Sequence, residues 1–272
     1  MSSSCMPRVD ECEFFVRTEQ AQIIRGVVEL LKDLIFEATF VFSSSGIKVS
    51  SMDSSKSSLV YLKLDAASFE QFHVQREHHV GVSLQLLYKL VKTASSNDTL
   101  ALFARKNTTH ELGIHVANSD THNNTVFSLK MLDLNATNIN LPVLEYDHIV
   151  QVNSQIFQRL IRDMQNLAPY VTISTRGNGL VLECNGDFAQ QVTTIGETHD
   201  DTGDTMGDDD NDTSNAVTFS STYSLKYLAL FSKSSNLSSS LTMYLRRDHP
   251  LVLEFGVGGL GAIKFLLSPI QE

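Results

Sequence analysis

The feature that most constrains this chain is that it repeats itself. Residues 83–102, SLQLLYKLVKTASSNDTLAL, align without a gap on 224–243, SLKYLALFSKSSNLSSSLTM. Ser83 meets Ser224, Leu84 meets Leu225, Lys92 meets Lys233 and Leu100 meets Leu241. Each copy reads as a helix, a Ser/Asn turn and a strand of alternating apolar residues. At a second offset Ile24, Val27, Val28, Leu31 and Leu34 match Phe157, Leu160, Ile161, Met164 and Leu167. Downstream, ATFVFSSSGIKV (38–49) and VTISTRGNGLVL (171–182) both read strand, Gly turn, strand, with Gly46 on Gly179. The same order of elements twice predicts two α+β halves, 13–131 and 146–272. Residues 132–145 form an ordered connector: Pro142 and the Asn residues oppose a helix, while Ile139, Leu141 and Val143 alternate as in a strand. Residues 1–12 read as a disordered extension and the Gly/Asp-rich 198–215 as a mobile acidic loop.

An apolar fraction of 42% supplies a core for 272 residues, and a charged fraction of 19% argues against general disorder. The formal charge of −10 argues against a protein wrapped everywhere in nucleic acid, but leaves room for one basic surface on an acidic body. Cys5, Cys12 and Cys184 lack metal-ligand or redox spacing, as expected in a reducing compartment. The first residues hold no apolar core of signal-peptide length, and no apolar run reaches membrane-spanning length, so a soluble intracellular protein is expected.

Each of the four expected helices carries two cations three or seven residues apart, spacings that leave both on one face. They are Arg25 and Lys32, Lys89 and Lys92, Arg159 and Arg162, and Lys226 and Lys233, eight of the 21 Lys and Arg residues. Apolar residues take the opposite side: Leu84, Leu87, Leu90 and Val91 in the second helix, Tyr227, Leu228 and Phe231 in the fourth. One such pair is ordinarily a solvated face. Four, placed alike in a duplicated frame, point to a shared anionic partner, although Glu29 dilutes the first. No zinc-finger spacing, aromatic RNA-recognition signature or clustered recognition helix accompanies them, so phosphate contact without base readout is the reading.

The stretch LKDLIFEATFVFSSSGIKVSSMDSSKSSLVYL (31–62) resembles the proliferating cell nuclear antigen family of DNA sliding clamps. KMLDL (130–134), IRDM (161–164) and LSPI (267–270) extend the resemblance over residues 13–270. It implies a clamp fold: two similar domains, each with two helices packed on antiparallel sheets, forming a ring of three subunits around duplex DNA. The eight cations would line the hole, touching phosphates loosely while the ring slides. DNA polymerase and other replication and repair proteins would dock by short peptides in a pocket formed by Met52, Leu59, Ile139, Leu141, Pro142, Pro250, Leu266 and Pro269, with backbone contacts at Ser268 and Ile270. Subunits would join along Phe127, Leu129 and Met131. A clamp loader is implied, with a nuclear setting for a cellular protein, or the host's nucleus or replication factory for a viral one.

Three departures from that family stand out. Gly177 occupies the position of a lysine that accepts ubiquitin, so modification there is expected to be absent. Where the family has two strands between about 198 and 225, this chain offers the acidic loop and one run, AVTFSSTYSL, which suggests a lost interface strand and a weakened trimer. The connector keeps only Asp133 and Glu145 as acids, and Lys56 stands near the pocket where histidine is common, so partner choice is expected to differ.

Rival classes find less support. No G-x-S-x-G, H-E-x-x-H, Walker loop or dinucleotide fingerprint occurs, so no catalytic residue, cofactor or metal is expected. The nine histidines lack ligand spacing, and the acidic loop fails the calcium-loop pattern. Six N-x-S/T triplets, at Asn97, Asn107, Asn123, Asn135, Asn211 and Asn236, are what an Asn/Ser/Thr-rich chain produces by chance. The remaining alternative is a clamp-like scaffold acting as a monomer or as one subunit of a hetero-ring of the checkpoint-clamp type.

Overall fold

The computed structural model of the chain describes residues 6–106, 108, 110–118, 120–134, 139, 145–176, 179–196 and 217–270. The first half runs β1 (Cys12–Thr18), α1 (Ala21–Leu34), β2 (Glu37–Ser43), β3 (Gly46–Met52), β4 (Ser58–Asp65), β5 (Gln71–Val74), β6 (His78–Ser83), α2 (Leu84–Val91), β7 (Asp98–Arg105), β8 (Glu111–Asn118) and β9 (Asn123–Lys130). The second runs β10 (His148–Asn153), α3 (Ser154–Gln165), β11 (Tyr170–Arg176), β12 (Gly179–Asn185), β13 (Gln190–Ile195), β14 (Val217–Ser224), α4 (Leu225–Ser232), β15 (Ser240–Leu245), β16 (Leu251–Val257) and β17 (Gly261–Leu267). Apart from β5, the described elements of the two halves correspond one to one.

The strands build three antiparallel sheets, in the orders β5-β1-β7-β8-β9, β10-β15-β16-β17-β4-β3-β2-β6 and β13-β12-β11-β14. The largest sheet belongs to both halves, because β17 pairs with β4 over seven residues, from Gly261 opposite Leu64 to Leu267 opposite Ser58. Strand alternation decides which face is buried: in β2, Ala38, Phe40 and Phe42 point inward. The helices bury one stripe each, Leu84, Leu87 and Val91 in α2 and Phe157, Ile161 and Met164 in α3. Asn153 caps α3, its Oδ1 accepting from the backbone N–H groups of Gln155 and Ile156 at 3.0 Å.

Packing of α1 on α2, of α3 on α4, and of α1 on α4 with the 3-10 turn Lys233–Asn236 places the four helices in one layer. Beneath them a single apolar core runs through both halves and includes Phe14, Leu31, Phe42, Phe157, Phe231 and Phe265. Phe231 of α4 stacks on Phe265 of β17 with ring centroids 4.6 Å apart. Burying one such ring contributes about 2–3 kcal/mol, so the core anchors helix layer and shared sheet together.

Two expectations need correction. The described part of the N-terminal extension is ordered: Met6 and Val9 pack on Cys12, Phe15, Ala101 and Phe103, and Val9–Glu11 forms a 3-10 turn. Those large side chains occupy the face of the first sheet opposite the main core and need cover. Nor is the second half short of an edge strand, since β13 lies upstream of the acidic stretch and ends the third sheet. The acidic stretch 198–215 and Gly177 lie outside the described residues. Among the described residues no helix is long and apolar enough to cross a membrane, and no cluster of His, Cys, Asp or Glu could hold a metal ion.

Candidate functional site

The eight helix cations share one layer but not one state. Lys89, Lys92, Arg159, Arg162 and Lys226 are exposed, with no ion pair among the described residues. Arg25, Lys32 and Lys233 are engaged. Arg25 donates from Nη1 to the Ala94 carbonyl at 2.8 Å, tying α1 to the residues that follow α2. Lys32 and Lys233 both reach Asp33, at 2.8 and 2.7 Å. Burial pushes the Asp33 carboxyl up, but hydrogen bonds from Lys233 and Lys32 outweigh it and hold the group below the usual carboxylate range. Asp33 helps most to raise Lys32 above the ordinary lysine value. Arg162, Lys226 and Lys233 also line a cleft of about 310 Å³ between α3 and α4, with Gln158 and Gln165.

On the opposite face of the shared sheet, strand register assembles an apolar row. Met52 pairs with Leu59, Leu59 with Leu266, Leu266 with Val252, Val252 with Tyr244, and Tyr244 with Ile149. Cross-strand partners share a face, so the six side chains stand side by side. Leu59 and Val252 are buried, while Met52 and Ile149 at the ends are 44% and 62% exposed. Pro250, Pro269 and Ile139 are half-buried, and Leu141 and Pro142 lie outside the described residues. The Ser268 and Ile270 amides donate to the Ser57 and Thr222 carbonyls at 3.0 and 2.9 Å, so a backbone contact with a peptide at these residues falls to their carbonyls.

Sequence reasoning missed Val252, Tyr244 and Ile149. In LVLEFGV (251–257) nearly every residue is apolar, so the strand does not announce which side faces outward. It also missed Asp53, which organises the turn beside Met52. Asp53 accepts from the Ser58 and Ser55 backbone N–H groups at 2.7 and 3.1 Å, from the Ser55 hydroxyl, and from the Tyr227 hydroxyl at 2.7 Å. Lys56 is exposed in this turn with a left-handed φ of 58°.

The third feature is a pair of sheet edges. β9 ends the first sheet and β13 the third, and neither has a second strand partner among the described residues. Leu129, expected at a subunit joint, is buried at 8% exposure in the chain's own core, against which Phe127 and Met131 also pack. What β9 presents sideways is its backbone. In the repeat β9 corresponds to β17 and β13 to β4, and β17 and β4 are the two strands that join the halves.

Models of the proliferating cell nuclear antigen family match residues 13–270: the N-terminal domain at residues 13–139 and the C-terminal domain at 140–270. The chain is 32% identical over 265 residues to the probable DNA polymerase sliding clamp 1 of Paramecium bursaria Chlorella virus 1, covering 96% of this chain and 98% of that protein. It is 31% identical over 253 residues to the proliferating cell nuclear antigen of Chaetomium thermophilum, covering 93% and 96%.

Proposed function

The chain belongs to the proliferating cell nuclear antigen family, and from that premise we propose that it is a DNA sliding clamp, a processivity factor with no catalytic residue of its own. It acts by topology. A closed ring on the duplex keeps a bound polymerase at its template by raising local concentration. The observation that supports the ring is a pair of sheet edges: β9 and β13, the counterparts of β17 and β4, have no second strand partner among the described residues, and in a ring they would pair between copies as β17 and β4 pair within this chain. A joint of one kind supports a closed ring of identical copies, and the family resemblance implies three of them. The alternative of a monomer or hetero-ring subunit drew on a missing edge strand, and the presence of β13 at the edge of the third sheet favours the ring of identical copies over it.

In this reading the helix layer faces the hole and its exposed cations meet phosphates without sequence preference. The apolar row of the shared sheet, with the connector residues Ile139, Leu141 and Pro142, receives partner peptides through aliphatic and aromatic anchors. Such a peptide meets the carbonyls of Ser268 and Ile270, because their amides are taken. A clamp loader opens the ring, and the protein works where DNA replicates, in the nucleus or, for a viral clamp, in the host's nucleus or replication factory.

The decisive experiment uses a linear duplex fixed to a bead at one end. Threaded rings stay on the duplex when the free end is capped by a bulky protein, and slide off when it is open. Equal retention in both cases would refute encirclement. Light scattering on the same preparation should give three times 30.2 kDa.

A further inference from the structure

Asp33 sits in the last turn of α1, where the two halves of the helix layer meet. Its carboxylate is shared between the halves: Oδ1 takes Lys32 at 2.8 Å and Oδ2 takes Lys233, two hundred residues on, at 2.7 Å. Lys233 stands between two unlike clefts. One, about 500 Å³, is lined by Arg25, Glu29, Asp33 and Asn236, where acid and base balance. The other holds Arg162 and Lys226 and no carboxylate. An ammonium group enters the second cleft readily only if an anion arrives there to offset the mutual repulsion.

We propose that Asp33 competes with duplex phosphates for Lys32 and Lys233, and so sets how many phosphates the helix layer holds at once. The inference rests on the reading of that layer as the DNA face. The side chains are partly exposed, 48% for Lys233 and 31% for Asp33, and ion pairs of that kind are individually weak. A duplex presents a charge about every 1.7 Å, so phosphate is a strong competitor at short range. When phosphate takes Lys233, the two halves give up the one ion pair that spans them among the described residues. Asp33 is thus a positioning residue. It keeps the layer's grip loose, as a protein that must slide requires.

The test is binding of the full chain to a 30-base-pair duplex, followed by anisotropy between about 25 and 200 mM salt. Asp33→Asn should bind several-fold more tightly at low salt, with a slope of log K against log salt steeper by about one to two units. Asp33→Glu should restore the wild-type slope. Asp163→Asn on α3, neutralising an exposed acid that holds no cation among the described residues, should give a smaller effect. In unaltered protein the Asp33 carboxyl carbon resonance should move as duplex is added, a readout that needs no variant. Equal effects of Asp33→Asn and Asp163→Asn, or a stationary Asp33 resonance, would overturn the proposal. Lys89→Glu with Arg162→Glu separates the two levels. If that pair weakens binding while Asp33→Asn does nothing, only the role of Asp33 falls, whereas binding untouched by the pair removes the DNA face itself.

Discussion

The Tyr227 hydroxyl lies 2.7 Å from Oδ2 of Asp53 and donates to it, so the first turn of α4 in the second half holds the turn after β3 in the first. The bond reaches from the helix layer to the rim of the apolar row, where Met52 stands exposed. Tyr227→Phe should lower stability by about 1–2 kcal/mol, the worth of a hydrogen bond to a charged acceptor in a half-buried place. Urea denaturation measures it, and hydrogen exchange at Ser55 and Ser58 should quicken. An unchanged midpoint would show that the turn holds itself.

Acid should act through the same residue. Burial pushes the Asp53 carboxyl up, yet the bonds from Ser55, Tyr227 and the Ser58 backbone hold it at about 2 against the ordinary 3.8. A carboxyl depressed by folding stabilises fully above its unfolded value and loses that contribution as pH falls from near 4 toward 2. After allowance for solvent screening, the expected loss is about 1 kcal/mol. Asp53→Asn should be less stable at neutral pH and flatter across that window. Parallel acid profiles for the two proteins would contradict the assignment.

Gly46 and Gly179 occupy matching places in the repeat but not matching surroundings. Gly46 has φ of +142°, and a Cβ there would lie 1.9 Å from the Leu64 carbonyl oxygen. At Gly179 the nearest atom would be 3.4 Å away. Gly46→Ala should therefore cost about 3 kcal/mol or more, while Gly179→Ala changes stability by less than about 1 kcal/mol. Thermal melts of the two variants decide the point.

The helix cations should divide by function. Lys89→Glu with Arg162→Glu should leave the fold intact and flatten the salt dependence of duplex binding by about two units. Arg25→Met should do the reverse: melt earlier, by the loss of its bond to the Ala94 carbonyl, and keep most of the salt slope. Loss of DNA binding in Arg25→Met without loss of stability would reassign it to the DNA face.

Much of this was legible because it is periodic. The repeat pointed to two similar halves, in line with the two family-domain matches, and the 3- and 7-residue spacings put each pair of cations on one helix face. What stayed hidden was long-range. Pairing of β4 with β17 leaves no local pattern, so one sheet shared by both halves could not be read from either. The resemblance put Leu129 at a subunit joint, and nothing in its own strand shows that its side chain lies in the chain's core. The engagement of Lys32 and Lys233 by Asp33 depends on two helices meeting, and sequence spacing within one helix is silent on that. Asp53 sat within the quoted stretch 31–62 as an acid with no visible partner, because Tyr227 comes to it from the other half.

The β17–β4 joint also has a mechanical meaning. Within the chain the two halves are also joined by the covalent backbone, by Lys233 on Asp33 and by Tyr227 on Asp53. In the proposed ring its counterpart between copies would have strand edges but no covalent tether. Under load each chain of such a ring behaves as a stiff arc, and strain collects at the seams between arcs. A force that parted the proposed ring would therefore open it like a clasp, undoing one seam and leaving every domain pair intact.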